Sequence, residues 1–171
     1  AYRLIGYENR LLNNEDFKND AKDAGELGSG HTVTAIYEII PVGVKSPFVQ
    51  SVDELKYQKP TFKPSTDNAT EVATVKFRYK KPDGDTSIEM VHPINNRAKS
   101  FESASENIRF ASSVAMFGMV LRNSEFKGQS NLNQVIKIAE NARQYDPEGY
   151  RGEFLRLVKT TKNLDLSQVN E

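Results

Sequence analysis

Asp23-Ala-Gly-Glu-Leu-Gly-Ser-Gly-His-Thr-Val-Thr-Ala-Ile-Tyr-Glu-Ile-Ile40 joins an acidic, glycine-punctuated loop to the strongest strand signal of the chain. Residues 32–40 are rich in β-branched and aromatic types, and Val33, Ala35, Tyr37 and Ile39 recur at period two. This alternation predicts a strand over 31–40 with one apolar face. The glycines at 25, 28 and 30 give the backbone the freedom that a sharp turn into a sheet requires. The stretch specifies a fold and names no reaction.

Upstream of it, Tyr2–Glu8 reads as a short strand. From Leu11 to Glu26 the chain is acidic, with Glu15, Asp16, Asp20, Asp23 and Glu26 against Lys18 and Lys22. Asn14 is placed to cap a helical turn over 14–18, where acids suit a helix start. Downstream, Pro41-Val-Gly closes the strand. Residues 43–70 then form a long irregular connection carrying Pro47, Pro60 and Pro64, a length that suits either a functional loop or a partly disordered one.

Glu71–Lys80 and Thr86–His92 predict a β-hairpin across Lys81-Pro-Asp-Gly-Asp85. Ala73, Val75, Phe77 and Tyr79 are expected in the core, and Lys76, Arg78 and Lys80 in solvent. After Asn96 the period changes to 3.6. Ser103-x-x-Glu106 is a capping box that opens a helix to about Asn123. Its stripes, Ala111/Ala115/Gly118 and Phe110/Val114/Phe117/Leu121, predict burial around most of its circumference. A second helix over 131–144 is expected to bury Leu132, Val135, Ile136 and Ala139. Asp146-Pro147 predicts a third, with Asp146 as N-cap and Tyr150, Phe154, Leu157 and Val158 facing the core.

Strands first and helices after give an α+β fold. One domain is expected over 1–171, with an antiparallel sheet or partial sandwich over 1–95 packed with about three helices over 96–171. The start inside a strand-like segment suggests a fragment of a longer chain.

The bulk composition narrows the function classes. The 171 residues are 37% hydrophobic and 27% charged, a globular composition. Lys+Arg and Asp+Glu are both 23, so no whole-molecule field attracts nucleic acid or an anionic membrane. Cysteine is absent, which removes disulfides, thiolate nucleophiles and Cys-ligated metals. Arg109, Ser112, Ser113 and Arg122 break the longest apolar run of the helical half, so this segment is not expected to insert into a membrane.

Several clusters invite a chemical reading. Asp16, Asp20, Asp23 and Glu26 are hard oxygen donors of the kind Ca²⁺ takes, although their spacing matches no EF-hand. They are the candidate metal ligands, set against a plain solvated acidic face. Gly25-Glu-Leu-Gly-Ser-Gly-His-Thr32 approaches a P-loop, but His31 replaces the phosphate-reaching lysine and a strand follows where a helix is needed. Asp83, Asp85 and Glu89 belong to a hairpin turn that needs no ion. His31 and His92 are the two histidines, short of a zinc site, and no serine elbow supplies a nucleophile. Lys76, Arg78, Lys80 and Lys81 form a basic row. Single-strand binding needs aromatics on that same surface, and alternation puts Phe77 and Tyr79 on the other.

A set of stretches then acquires a family likeness. They are Tyr2-Arg-Leu-Ile-Gly-Tyr-Glu-Asn-Arg10, Asp16-Phe, Asn19-Asp, Lys22 through Ile39, Leu55-Lys-Tyr57, Ala73-Thr-Val-Lys-Phe-Arg-Tyr-Lys80, Phe117-Gly-Met-Val-Leu-Arg122 and Gly149-Tyr-Arg-Gly-Glu-Phe154. Together they resemble the C-terminal domain, without assigned activity, that follows a von Willebrand factor type A (VWA) domain in bacterial cell-envelope proteins and lipoproteins. The adhesion-site motif of a VWA domain, Asp-x-Ser-x-Ser, is not carried here: in Asp165-Leu-Ser-Gln-Val169 the second serine is Val169.

The resemblance implies a VWA neighbour in the same chain, a periplasmic or surface-exposed location and a binding role. The expected function is therefore a non-catalytic accessory module that contacts the VWA domain and an unidentified protein, with no nucleic acid and no resident cofactor. The alternative is a Ca²⁺-dependent module built on residues 15–26. A third reading, an enzyme whose carboxylates and histidines converge in space, requires a pocket that brings them together.

Overall fold

The computed structural model describes residues 1–6, 13–22, 27–41, 43–49 and 70–164. Among them are four strands, β1 (Tyr2–Ile5), β2 (Ile36–Ile39), β3 (Glu71–Tyr79) and β4 (Ile88–Asn95), followed by three helices, α1 (Glu106–Leu121), α2 (Leu132–Glu140) and α3 (Tyr150–Lys162). The fold is α+β. Its strands form two separate two-stranded antiparallel sheets, β1–β2 and β3–β4. By contacts the chain divides into two compact units: Ala1–Arg3, Asn9–Thr32 and Glu38–Ala98 make one, and Leu4–Glu8, Val33–Tyr37 and Lys99–Glu171 the other. No helix among the described residues is long and apolar enough to cross a membrane.

The β1–β2 ribbon is tied at its end by two bonds. The Ala1 ammonium donates to the Ile40 carbonyl at 2.9 Å, and the Ile40 N–H donates to the Ala1 carbonyl at 2.8 Å. Arg3 Nε meets Glu38 Oε2 across the strands at 2.6 Å. The strand expected over 31–40 is only Ile36–Ile39, because β1 has four residues to pair with it. The expected apolar face is also reversed: Ile36 is half-buried, whereas Val33, Tyr37 and Ile39 are exposed. A two-stranded ribbon has no second layer of its own to bury an alternating face.

The β3–β4 hairpin is shifted from expectation: β3 ends at Tyr79, and β4 starts at Ile88 and runs on to Asn95, with Pro93 opposite Thr74 and a bulge between Glu71 and Ala73. Its turn closes with the Gly84 N–H donating to the Lys81 carbonyl at 3.0 Å. Pro82 and Asp83 are the central pair, and Asp83 takes φ +61° although Gly84 is next to it. A Cβ on Gly84 would lie 3.2 Å from that carbonyl, so here the glycine serves close approach. The rest of the 43–70 connection, from residue 50 to 69, lies outside the described residues.

The helical unit holds the core. Phe117 of α1, Val135 of α2 and Val158 of α3 pack together, with Met116, Leu132, Ile136 and Phe154 against them. Phe154 meets Phe110 and Phe117 edge-to-face, at centroid distances of 5.4 and 5.6 Å. The starts of α1 and α3 differ from expectation. For α1 the cap is Ser105, whose Oγ accepts from the Ile108 N–H; Ser103 lies in a 3-10 turn and bonds back to Ser100. Glu106, freed from the box, pairs instead with Arg151.

At α2, Asn131 and Gln134 form a reciprocal capping box, and Val135 and Ala139 are buried as expected. At α3 the cap position is Gly149 at φ +75°, three residues beyond Asp146. Asp146 still does the work of a cap from there, accepting from the Arg151 N–H at 3.1 Å and the Gly152 N–H at 2.8 Å. Of the expected core face, Val158 is buried and Phe154 packs against the core, joined by Leu155 and Thr161, while Tyr150 and Leu157 are exposed. On α1, Val114 and Leu121 are likewise exposed.

Candidate functional site

The predicted acidic cluster divides in the structure. Asp16 and Asp20 are described; Asp23 and Glu26 lie outside the described residues. Asp16 sits in the 3-10 turn Asn14–Lys18, which starts from Asn13 and has no side-chain cap bond, so Asn14 does not cap it. Its carboxylate lies 3.8 Å from Lys22 Nζ. Asp20 faces the hairpin instead. Its Oδ1 accepts from Arg78 Nη2 at 2.8 Å and from the Ser87 hydroxyl, and its Oδ2 accepts from the Ser87 N–H at 3.3 Å. Arg78 Nη1 also donates to the Phe17 carbonyl at 2.6 Å, its guanidinium lies over the Phe17 ring, and Lys80 Nζ donates to the Asp20 carbonyl.

These contacts fix the electrostatics. The bonds from Ser87, with the charges of Arg78 and Lys80, hold the Asp20 carboxyl below the ordinary carboxylate range and outweigh its partial burial. Arg78 and Lys80, expected in solvent, are thus drawn onto the 13–22 segment. Asp83, Asp85 and Glu89 lie in and after the hairpin turn, and no group of three or more His, Asp or Glu among the described residues is placed to hold a metal ion. His31 closes a turn by donating its N–H to the Gly28 carbonyl, and His92 pairs with Val75 in the hairpin; both are exposed. The near P-loop therefore contains a tight turn, with Gly25 and Glu26 outside the described residues.

The opposite face of the hairpin differs from expectation. Cross-strand partners share a face in an antiparallel pair. The register Val75↔His92, Phe77↔Met90 and Tyr79↔Ile88 therefore gathers five apolar side chains on one surface. Expected in the core, they are open: Phe77 is 55% exposed, Met90 57% and Val75 51%. Phe77 and Tyr79 stack with centroids 6.3 Å apart. On the other face the polar 13–22 segment offers carboxylate and carbonyl oxygens to Arg78 and Lys80, while Val91 there is itself 54% exposed. Exposed apolar surface of this kind marks binding faces in soluble proteins. The sequence signalled the stripe through its alternation and gave no sign of which face would be covered.

Comparison with known proteins gives the chain its relatives. Residues 1–164 match the model of a family described as the C-terminal part of uncharacterized protein YfbK. Uncharacterized protein YfbK of Escherichia coli (strain K12) is 36% identical over 168 residues, which cover 98% of this chain and 28% of that protein. No solved structure matches. The chain belongs to the family of the YfbK C-terminal region.

Proposed function

We propose that this chain is a non-catalytic interaction module, C-terminal to a VWA domain in a bacterial cell-envelope protein, that docks through the open apolar face of β3–β4. The observation that carries this is the uncovered set Val75, Phe77, Tyr79, Ile88 and Met90. The matched region is 28% of the relative's length, which leaves ample chain elsewhere to supply the docking partner. The VWA neighbour and the envelope location follow from the resemblance at residues 2–40 and 73–80. A Ca²⁺ module is the less favoured reading, since Asp20 already spends its oxygens on Ser87 and Arg78.

The test uses the long protein. Its N-terminal part, expressed separately, should bind this chain, and Phe77→Lys with Met90→Lys should weaken that binding by about tenfold or more, the scale of losing central apolar contacts. Binding untouched by both substitutions would remove the face from the reading. Fractionation of cells carrying the long protein should place it in the envelope; recovery in the cytosol would remove the location.

A further inference from the structure

The helical unit has a concavity of about 520 Å³ between the turn preceding α1, α1 itself and α2. That size lies within the roughly 300–1,000 Å³ span of small-molecule pockets. Phe101, Met116 and Ile138 give it apolar walls; Arg109 and Lys137 give it two cations. Gln134, whose Oε1 already accepts from the Asn131 N–H, and Asn141, whose Nδ2 already donates to the Lys137 carbonyl, add partly committed amides.

Arg109 is the informative residue. Its Nε is sealed from solvent and has no hydrogen-bond partner among the described residues. Buried polar atoms are nearly always bonded, so an unbonded one calls for a reason. Glu106, one turn before it on α1, is committed elsewhere: its Oε1 accepts from the Tyr145 N–H and from Arg151 Nη1. Glu102 also lines the cavity, is exposed, and forms no ion pair with Arg109.

The second basic concavity of this unit, lined by Arg143, Arg156 and Lys159, behaves differently. Lys159 meets Glu140 at 2.7 Å, Arg156 meets Glu153 at 3.4 Å, and Arg143 lies near Glu140 and Asp146. Its cations have acids; Arg109 has none among the described residues.

We propose that the Arg109 cavity binds a carboxylate borne on a small apolar body. Arg109 lines the cavity and, with its Nε sealed from solvent, meets a carboxylate through the paired Nη groups of its planar guanidinium. Lys137 adds a second cation and Glu102 subtracts one charge, so the lining carries a net single positive charge that one carboxylate neutralises. Phe101, Met116 and Ile138 pack the apolar body. The carboxylate can belong to a free organic acid or to the C-terminus of a peptide ending in an apolar residue; the chemistry is the same.

The test is a ¹⁵N-resolved NMR titration of the whole chain with 3-phenylpropionate, with its amide, and with a short peptide ending in phenylalanine as acid or amide. The expected result is saturable shifts within residues 101–141 for at least one acid and none for the matching amide. Arg109→Met should weaken the acid's binding by about tenfold or more, the range of a lost charge-assisted bond. Glu102→Gln should strengthen it. Preference for the peptide acid or for the free acid identifies the source. Equal binding of acid and amide, or no response to any acid, would overturn the proposal. So would weaker binding in Glu102→Gln, a readout that stands even if Arg109→Met fails to fold.

Discussion

Arg151 Nη1 donates to Glu106 Oε1 at 2.9 Å, joining the first turn of α3 to the first turn of α1. The same guanidinium donates to the Ala142 carbonyl at 2.8 Å and to Asn107 Oδ1 at 2.6 Å, and lies 4.9 Å from the Phe110 ring centroid. One side chain thus ties α1, the α2–α3 connection and α3. Both partners are mostly covered, with side chains 17% and 23% exposed. Removing one leaves the other short of partners in a half-desolvated place.

Arg151→Ala is therefore expected to destabilise the chain by about 2–3 kcal/mol, and Arg151→Lys by somewhat less, because a lysine cannot reproduce the fork. Arg156→Ala is the control. Its pair with Glu153 is open to solvent, so its loss is expected to fall within about 0.5 kcal/mol. Urea unfolding monitored by circular dichroism checks both.

Position decides the cost of truncation more than residue type does. Val135 is fully buried between the helices, and Val135→Ala should cost about 2 kcal/mol. Val75 has the same side chain on the open hairpin face. Val75→Thr should change stability by no more than about 0.5 kcal/mol. Equal losses in thermal unfolding would show the hairpin face to be covered in solution.

Acid should weaken the fold through named groups. Asp20 is held below its ordinary pKa by Ser87 and then by Arg78 and Lys80, and Glu140 by Lys159. For Asp146 burial pushes upward, but the N–H groups of Arg151 and Gly152 prevail and the net direction is down. A carboxylate lowered in the folded state stabilises fully above its unfolded pKa of about 4, and that contribution disappears as pH falls through the folded value. Stability should thus be level from neutral pH to about 5 and fall below about 4. Asp20→Asn should lower the neutral plateau and flatten that acid slope. An unchanged slope would mean that the Asp20 latch is absent in solution.

Divalent metal should make no difference to melting. Superimposable curves with EDTA, Ca²⁺ and Mg²⁺ are expected, because a cation at Asp20 would have to displace Arg78. A ligand at 100 times its Kd adds about 2.7 kcal/mol, which is several degrees for a chain of this size. An upward shift of that order with Ca²⁺ would restore residues 15–26 as a metal site.

The sequence by itself determined the element types, because these rest on local physics. The change of period near Asn96, the Asp83-Gly84 turn and the apolar repeat of α2 each act over a few residues, and each produced its element. Asp146 shows the boundary of that legibility. Its capping role was readable, but its reach over Gly149 depended on a loop geometry that sequence does not print.

Tertiary structure alone decided which faces are covered. Alternation in β3 makes Val75, Phe77 and Tyr79 share a side, and that much is steric necessity. Whether this side is buried depends on which segment packs on the sheet. Asp20, 58 residues from Arg78 in sequence, claims the opposite face. Arg151 and Glu106 are 45 apart and leave no local trace of their pairing. Such contacts are chosen by competition among all segments for charge and apolar area at once, and so the hairpin's open face and the Arg109 Nε left without a partner among the described residues emerge only in the folded chain.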